Sequence, residues 1–168
     1  MIVPDEARRI LQQVVPDDAS WENIDLQFSS RLPESQISGR YPYAIAPMGV
    51  VFVTRRAYGT AARALRTVGM TIGRTIYLAI HPRDLRTAAG LALLAHEKVH
   101  VNQYATIPNF QDLYTQVAEQ TPSDQPWRNP YEEQAYRVEA RVYCQLVAAG
   151  YPRGKWVPLG VTVWGCNA

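Results

Sequence analysis

Residues 88–104 read AAGLALLAHEKVHVNQY, and the predicted fold depends on this stretch more than on any other. Asp84 or Thr87 can cap a helix that starts here, and Pro108 lies just beyond the stretch. These signals predict a helix from residue 88 to about Tyr104. The helix contains two of the three histidines of the chain.

The residues His96-Glu97-Lys98-Val99-His100 within this helix match the pattern H-E-x-x-H. Histidines four residues apart lie about 40° apart around a helix and one turn along it, so both rings can bind one ion. Glu97 points about 100° away from His96, where a general base can reach a metal-activated water. The pattern therefore predicts zinc ligands at His96 and His100, with Glu97 as the base, although a five-residue pattern also occurs by chance. We expect a structural role for His81, which precedes Pro82.

A zinc ion needs at least one further protein ligand. No histidine follows His100, so the third ligand must be a carboxylate. Glu132 and Glu139, seven residues apart, share one face of a predicted helix, whereas Glu133 lies about 100° away from Glu132. Acidic residues in a first helical turn also stabilise its N-terminus without binding metal. The residues alone leave the choice open among six candidates: Asp112, Glu119, Asp124, Glu132, Glu133 and Glu139.

Three separated segments carry a family resemblance. TIYL is followed by GLALLAHEKVHVNQY and, further on, by PYEEQAY. In this order they resemble the metallopeptidase-type domain of the extracellular contractile injection system core family. The segment PYEEQAY is also similar to the E-x-E-A-D segment of gluzincin peptidases, whose first glutamate binds zinc.

The resemblance implies a gluzincin-like zinc site in which Glu132 is the third ligand. This chain departs from the family pattern at Gln134, where a second glutamate is expected, and at Tyr136, where other gluzincins have aspartate. The tyrosine leaves open which group orients the ligating histidines. Tyr104, Tyr131, Tyr136 and Arg137 are all possible donors to a substrate oxyanion. Lys98 is expected to face away from the metal.

The remaining elements follow from apolar periodicity and turn residues. We predict further helices at residues 4–15, 109–120 and 131–149, the last with an apolar stripe and a stop at Gly150. Strands are predicted at residues 50–54 and 71–80, with a turn or bulge at Gly73. Residues 17–40 are expected to be irregular and anchored by Trp21 and Leu26. Residues 57–68 can be helix or loop, residues 121–130 form a loop, and the tail from Trp156 is extended.

The composition excludes several classes of protein. With 17 basic and 15 acidic residues, the net charge of +2 gives no reason to expect a nucleic-acid or membrane partner. From the residues at the N-terminus we expect no signal peptide, and we expect no segment that crosses a bilayer. We therefore expect a cytoplasmic protein, or one exported without a signal peptide. Cys144 and Cys166 are expected to be free thiols in the cytosol, or one disulfide after export.

Taken together, the sequence predicts one α+β, zincin-like domain over residues 1–168, with a small twisted sheet and two helices that hold the zinc. The expected function is zinc-dependent hydrolysis of a peptide or protein substrate, with Glu97 as general base. Two alternatives are a zinc-binding structural or docking module and an effector carried by an injection system. The family resemblance also implies association with a larger injection assembly.

Overall fold

The computed structural model describes residues 3–15, 21, 24–28, 69–122 and 125–167. Helices and one small sheet form a mixed α+β arrangement, as predicted. The described helices are α1 (Asp5–Val14), α2 (Ala88–Thr106), α3 (Phe110–Gln120), α4 (Pro130–Ala148) and α5 (Leu159–Trp164). The strands are β1 (Asp25–Phe28), β2 (Gly69–Ile72) and β3 (Thr75–Leu78). Short 3-10 helices cover Pro82–Arg86, Pro126–Arg128 and Gly165–Asn167.

The sheet has three strands in the order β1-β3-β2. β2 and β3 are an antiparallel hairpin that turns at Gly73, whose φ of 60° suits a residue without a Cβ atom. The prediction of one strand at residues 71–80 is therefore wrong, although the turn at Gly73 is confirmed. β1 pairs in parallel with β3, so residues 25–28 are not irregular as expected. Trp21 and Leu26 are buried anchors, as predicted.

Helix α2 lies in the middle of the described structure and is almost entirely buried. The hydroxyl oxygen of Thr87 accepts a hydrogen bond from the Gly90 amide and caps its start. Asp84, the other predicted cap, belongs instead to the preceding 3-10 helix, where its carboxylate accepts from the His81 amide. His81 has the predicted structural role, since its Nδ1 accepts a hydrogen bond from the Arg83 amide.

Helix α4 packs along α2 in the opposite direction, and the two helices are tied at both ends. At the start of α2, the amides of Ala88 and Ala89 donate to the carbonyls of Pro152 and Arg153, which follow α4. At the other end, the side chain of Gln103 donates to the carbonyl of Tyr131 in the first turn of α4. These hydrogen bonds fix the relative position of the two helices.

The predicted helices at residues 4–15, 109–120 and 131–149 are confirmed to within one residue at each end. Asn129 caps α4 by accepting from the Tyr131 amide, and Gly150 follows its end with a φ of 90°. Val142 and Leu146 of the predicted apolar stripe are buried, whereas Ala149 is exposed. The predictions for residues 50–54 and 57–68 lie outside the described residues.

The tail from Trp156 is not extended as predicted. It contains α5, which packs on α4, and it ends near Cys166, which forms a disulfide with Cys144 of α4. Of the two alternatives for these cysteines, the structure contains the disulfide, because the fold of the tail brings together two cysteines 22 residues apart. None of the described helices is both long and apolar enough to cross a membrane.

Candidate metal centre

Three buried side chains meet where α2 packs against the first turn of α4. His96 and His100 lie one turn apart on α2, and their Nε2 atoms are 3.3 Å apart. Glu132 approaches from α4, with Oε2 at 3.3 Å from His96 Nε2 and Oε1 at 3.3 Å from His100 Nε2. In a tetrahedral zinc site with bonds of about 2.0–2.1 Å, the donor atoms are about 3.3 Å apart. The spacing therefore fits a small cation.

The three residues are the one group of metal-ligating side chains found among the described residues, with ligand atoms within 4.8 Å of one another. Their exposed fractions are 1% for His96 and 0% for His100 and Glu132. Oε2 of Glu132 is buried and has no hydrogen-bond partner in the described part of the chain. A buried carboxylate oxygen without a donor is costly, and a cation between the three side chains would neutralise it. The group could thus hold a metal ion.

The electrostatics of the metal-free site also favours a bound cation. Burial disfavours the charged form of Glu132, but the charge of His100 and the contacts with both imidazoles outweigh it and lower the pKa of Glu132 to about 2. Burial also disfavours a charged His100, yet the Glu132 carboxylate outweighs it and raises the pKa of that ring. A positive charge is therefore favoured beside Glu132, and a metal cation can take the place of the proton on His100.

Glu97 follows His96 on α2 and is fully buried. The Thr71 hydroxyl, on β2, lies 2.7 Å from Glu97 Oε2 and donates to it. The other oxygen of this carboxylate, Oε1, has no hydrogen-bond partner among the described residues. Burial raises the pKa of Glu97 to about 8. Gly69, also on β2, leaves room for this carboxylate, because a Cβ atom there would lie 2.9 Å from Oε1. Strand β2 thus positions the Glu97 carboxylate, which lies outside the group formed by His96, His100 and Glu132.

The other candidate carboxylates have different surroundings. Glu133 lies on the partly exposed side of α4 and pairs with Arg137 at 2.9 Å. Oε2 of Glu139 accepts a hydrogen bond from the Gly160 amide at 3.0 Å and so holds α5 against α4. Asp112 and Glu119 are exposed on α3, and Asp124 lies outside the described residues. Of the six candidates, Glu132 is the one that the structure brings to the two histidines.

Two residues that the sequence did not single out contact the predicted ligands. Gln103 Oε1 lies 2.8 Å from His100 Nδ1, and the Tyr114 hydroxyl on α3 donates to Glu132 Oε1 at 2.6 Å. The position of Gln103, three residues after His100, places both on one helix face and was a usable signal. Tyr114 gave no local signal, because it is 18 residues from Glu132 in the chain.

The residues proposed as oxyanion donors are spread around the site. The ring of Tyr136 packs edge-on against the ring of His96, with the ring centres 4.5 Å apart. Burial raises the pKa of Tyr136 well above its usual value. Tyr104 donates to Gln111, and Tyr131 packs on Phe110. Arg137 is exposed, pairs with Glu133 and stacks on Trp164. Tyr136 is therefore the candidate in direct contact with a predicted ligand.

Lys98, between the two histidines in sequence, is completely buried. Its Nζ donates to Asn102 Oδ1 at 2.5 Å and lies 5.3 Å from the centre of the Trp21 ring. The amine thus has polar and aromatic contacts away from the three-residue group. This agrees with the expectation that Lys98 faces away from the metal.

The eCIS core domain matches residues 47–108. This match supports the resemblance to that family, and it covers less than half of the chain. It includes His96, Glu97 and His100 but ends before Glu132, so it does not test the predicted role of Glu132. No curated protein and no solved structure gives a significant match to the chain.

Proposed function

We propose that the chain is a zinc-dependent peptide hydrolase with a zincin-like arrangement of active-site helix, second ligand helix and small sheet. The observation that carries the proposal is the buried triangle of His96 Nε2, His100 Nε2 and the Glu132 carboxylate, with spacings of 3.3 Å. Two imidazoles and one carboxylate are a ligand set of catalytic zinc, which leaves a position open for chemistry. Zinc is chosen over other divalent ions because of the resemblance to gluzincin peptidases, in which two histidines and one glutamate bind zinc.

When bound, zinc supplies Lewis-acid activation of a peptide carbonyl and of a water molecule. Glu97 is then the group that moves protons. Its Oε2 is held by the Thr71 hydroxyl, so Oε1 is the atom that accepts a proton from water and passes it to the leaving amine. Tyr136, which keeps its proton, is the proposed hydroxyl donor to the developing oxyanion.

The ligand set is tested by elemental analysis of the purified protein after zinc is supplied. We expect about one zinc per chain in the wild type and in Glu133→Gln, the matched control on the surface of α4. Glu132→Gln is expected to lose the metal, because the variant removes the charge that holds the cation. A wild-type protein without zinc, or a Glu132→Gln variant that retains it, would contradict the assignment.

The hydrolytic step is tested with fluorescently labelled casein. Glu97→Gln should keep its zinc and lose activity by about 10²–10⁴-fold, because it removes the proton acceptor without removing a ligand. If the wild type carries zinc and Glu97→Gln leaves the rate of hydrolysis unchanged, the measured activity does not come from this site.

One observation favours a second function, in which zinc joins two helices of a docking module. His96, Glu97, His100 and Glu132 are at most 1% exposed, so a peptide cannot reach them in this conformation. Zinc that stabilises the fold, together with no hydrolysis of casein or of short peptides, would favour this second function.

The match to the eCIS core domain supports a further proposal, that the chain works in association with an injection assembly, as a component or as its effector. The disulfide between Cys144 and Cys166 supports the exported form of the protein, since disulfides persist in oxidising compartments. Thiol labelling of protein taken directly from cells tests this, because a cytoplasmic protein would present both cysteines to the reagent.

A further inference from the structure

We propose that Gln103 is a positioning residue that holds His100 as the Nδ1–H tautomer and leaves its Nε2 lone pair for the metal. The inference deepens the proposed function and rests on it. It assigns a role to a residue outside the ligand set and identifies the group that orients one of the two histidines.

All three polar groups of the Gln103 amide are used. Its Oε1 lies 2.8 Å from His100 Nδ1. Its Nε2 donates to the carbonyl oxygen of Tyr131 at 3.1 Å and to Gln134 Oε1 at 2.9 Å. The side chain is 4% exposed, so water does not readily replace these partners. The amide is therefore held from three sides by two helices.

The chemistry of these partners decides the orientation of the amide. A backbone carbonyl only accepts hydrogen bonds, so the amide nitrogen of Gln103 must face Tyr131. The amide oxygen then faces His100, and because that oxygen is also only an acceptor, Nδ1 of His100 must carry the hydrogen. In the neutral ring Nε2 is then unprotonated, and this is the atom that faces His96 and Glu132.

His96 provides the contrast. Its Nδ1 is buried and has no hydrogen-bond partner among the described residues. Its ring instead contacts Tyr136 edge-on. The two histidines are thus oriented differently, one by a hydrogen-bonded amide and the other by aromatic packing. The tautomer of His100 should depend on Gln103, whereas that of His96 should not.

The same amide explains the departure from the family pattern at Gln134. Gln134 supplies an acceptor to the Gln103 amide, and a glutamate at this position would supply one as well. Gln134→Glu is therefore the conservative variant, which should leave the His100 tautomer and the zinc affinity unchanged within about twofold.

The test measures two quantities on the full chain. Long-range ¹H–¹⁵N NMR of the metal-free protein, at an alkaline pH where the rings are neutral, reports which nitrogen of each histidine carries the hydrogen. Competition with a zinc chelator gives the zinc affinity. We expect the Nδ1–H tautomer of His100 in the wild type, a mixture of tautomers in Gln103→Met, and zinc binding about 10- to 100-fold weaker in that variant. Gln145→Met, at an exposed position of α4, is the matched control and should change neither quantity.

A wild-type His100 that carries its hydrogen on Nε2 would overturn the inference, and this result requires no variant. An unchanged His100 tautomer in Gln103→Met would overturn it as well. So would a loss of zinc affinity in that variant if the tautomer of His96 changed as much as that of His100. Failure of the proposed function gives a different result. The zinc-loaded wild type then does not hydrolyse peptides, although its His100 is the Nδ1–H tautomer and this tautomer changes in Gln103→Met.

Discussion

At the scale of single residues, the Tyr114 hydroxyl contacts a predicted ligand from outside the two helices that carry the predicted ligands. It donates to Glu132 Oε1 at 2.6 Å in a buried position. Removing a hydrogen bond to a ligating group weakens metal binding by about 10- to 100-fold, and we expect a loss in this range for Tyr114→Phe. Chelator competition measures it.

Tyr104→Phe is the control for this prediction. It removes a hydroxyl that donates to Gln111 within the same aromatic cluster, so zinc binding should be unchanged. Equal zinc affinities in Tyr114→Phe and the wild type would mean that the tyrosine serves only to pack α3.

Gly69 is a second residue whose role is visible at this scale. An alanine Cβ there would lie 2.9 Å from Glu97 Oε1 and 3.1 Å from Leu78 Cδ2. The carboxylate must then move, while the zinc ligands are not touched. We expect Gly69→Ala to retain its zinc and to lose about 10- to 100-fold in the rate of peptide hydrolysis, since small misplacements of a catalytic group have effects of this size. Elemental analysis measures the zinc content and the casein assay measures the rate of hydrolysis. Full activity in Gly69→Ala would show that the Glu97 carboxylate can move aside and still act.

The site residues differ in how far the sequence could predict them. His96, Glu97 and His100 follow from one local pattern because a helix brings residues four apart onto the same face. The residues alone could not decide between Glu132 and Glu133, since both lie in a first helical turn where acids are favourable anyway. Tyr114 depends on how α3 packs against α4, which local spacing does not encode.

At the scale of elements, prediction succeeded where helices are long. α2 and α4 have 19 residues each, with caps and stops that can be recognised locally. β1, with four residues, and α5, with six, are too short to show a period. Each is stabilised by a neighbour distant in sequence, β1 by β3 and α5 by α4. The tail was therefore wrongly predicted as extended.

The contact between α5 and α4 gives a prediction at this scale. A Cβ atom on Gly160 would lie 2.0 Å from the Tyr136 carbonyl oxygen, so α5 would be pushed away from α4. The Gly160 amide would then lose Glu139, and a buried carboxylate would be left without that donor. We expect Gly160→Ala to lower the free energy of unfolding by about 1–3 kcal/mol.

Urea unfolding measures this change. Thr162→Ala, at an exposed position of the same helix, is the control and should stay within about 0.5 kcal/mol of the wild type. If both variants unfold at the same urea concentration, the close packing of α5 on α4 does not contribute to stability.

At the scale of the whole molecule, burial of the metal site controls exchange with solvent. Because the three predicted ligands are at most 1% exposed, a chelator can reach zinc only after a local opening. We expect the rate of zinc release to reach a plateau as chelator concentration rises, and to increase in urea below the unfolding transition. Stopped-flow detection of a coloured zinc–chelator complex measures this, and a rate that stays proportional to chelator concentration would contradict a closed site.

The hydrogen bonds that tie α2 to α4 at both ends have a consequence for ionic size. The amides of Ala88 and Ala89 donate to Pro152 and Arg153, and Gln103 donates to Tyr131, so neither helix end can move alone. The distances between the side chains of His96, His100 and Glu132 are then fixed as well. A cation with longer bonds, such as cadmium, has to push two long helices apart to fit. The molecule should therefore bind metal ions selectively by ionic radius, because hydrogen bonds far from the ion fix the distance between the two helices.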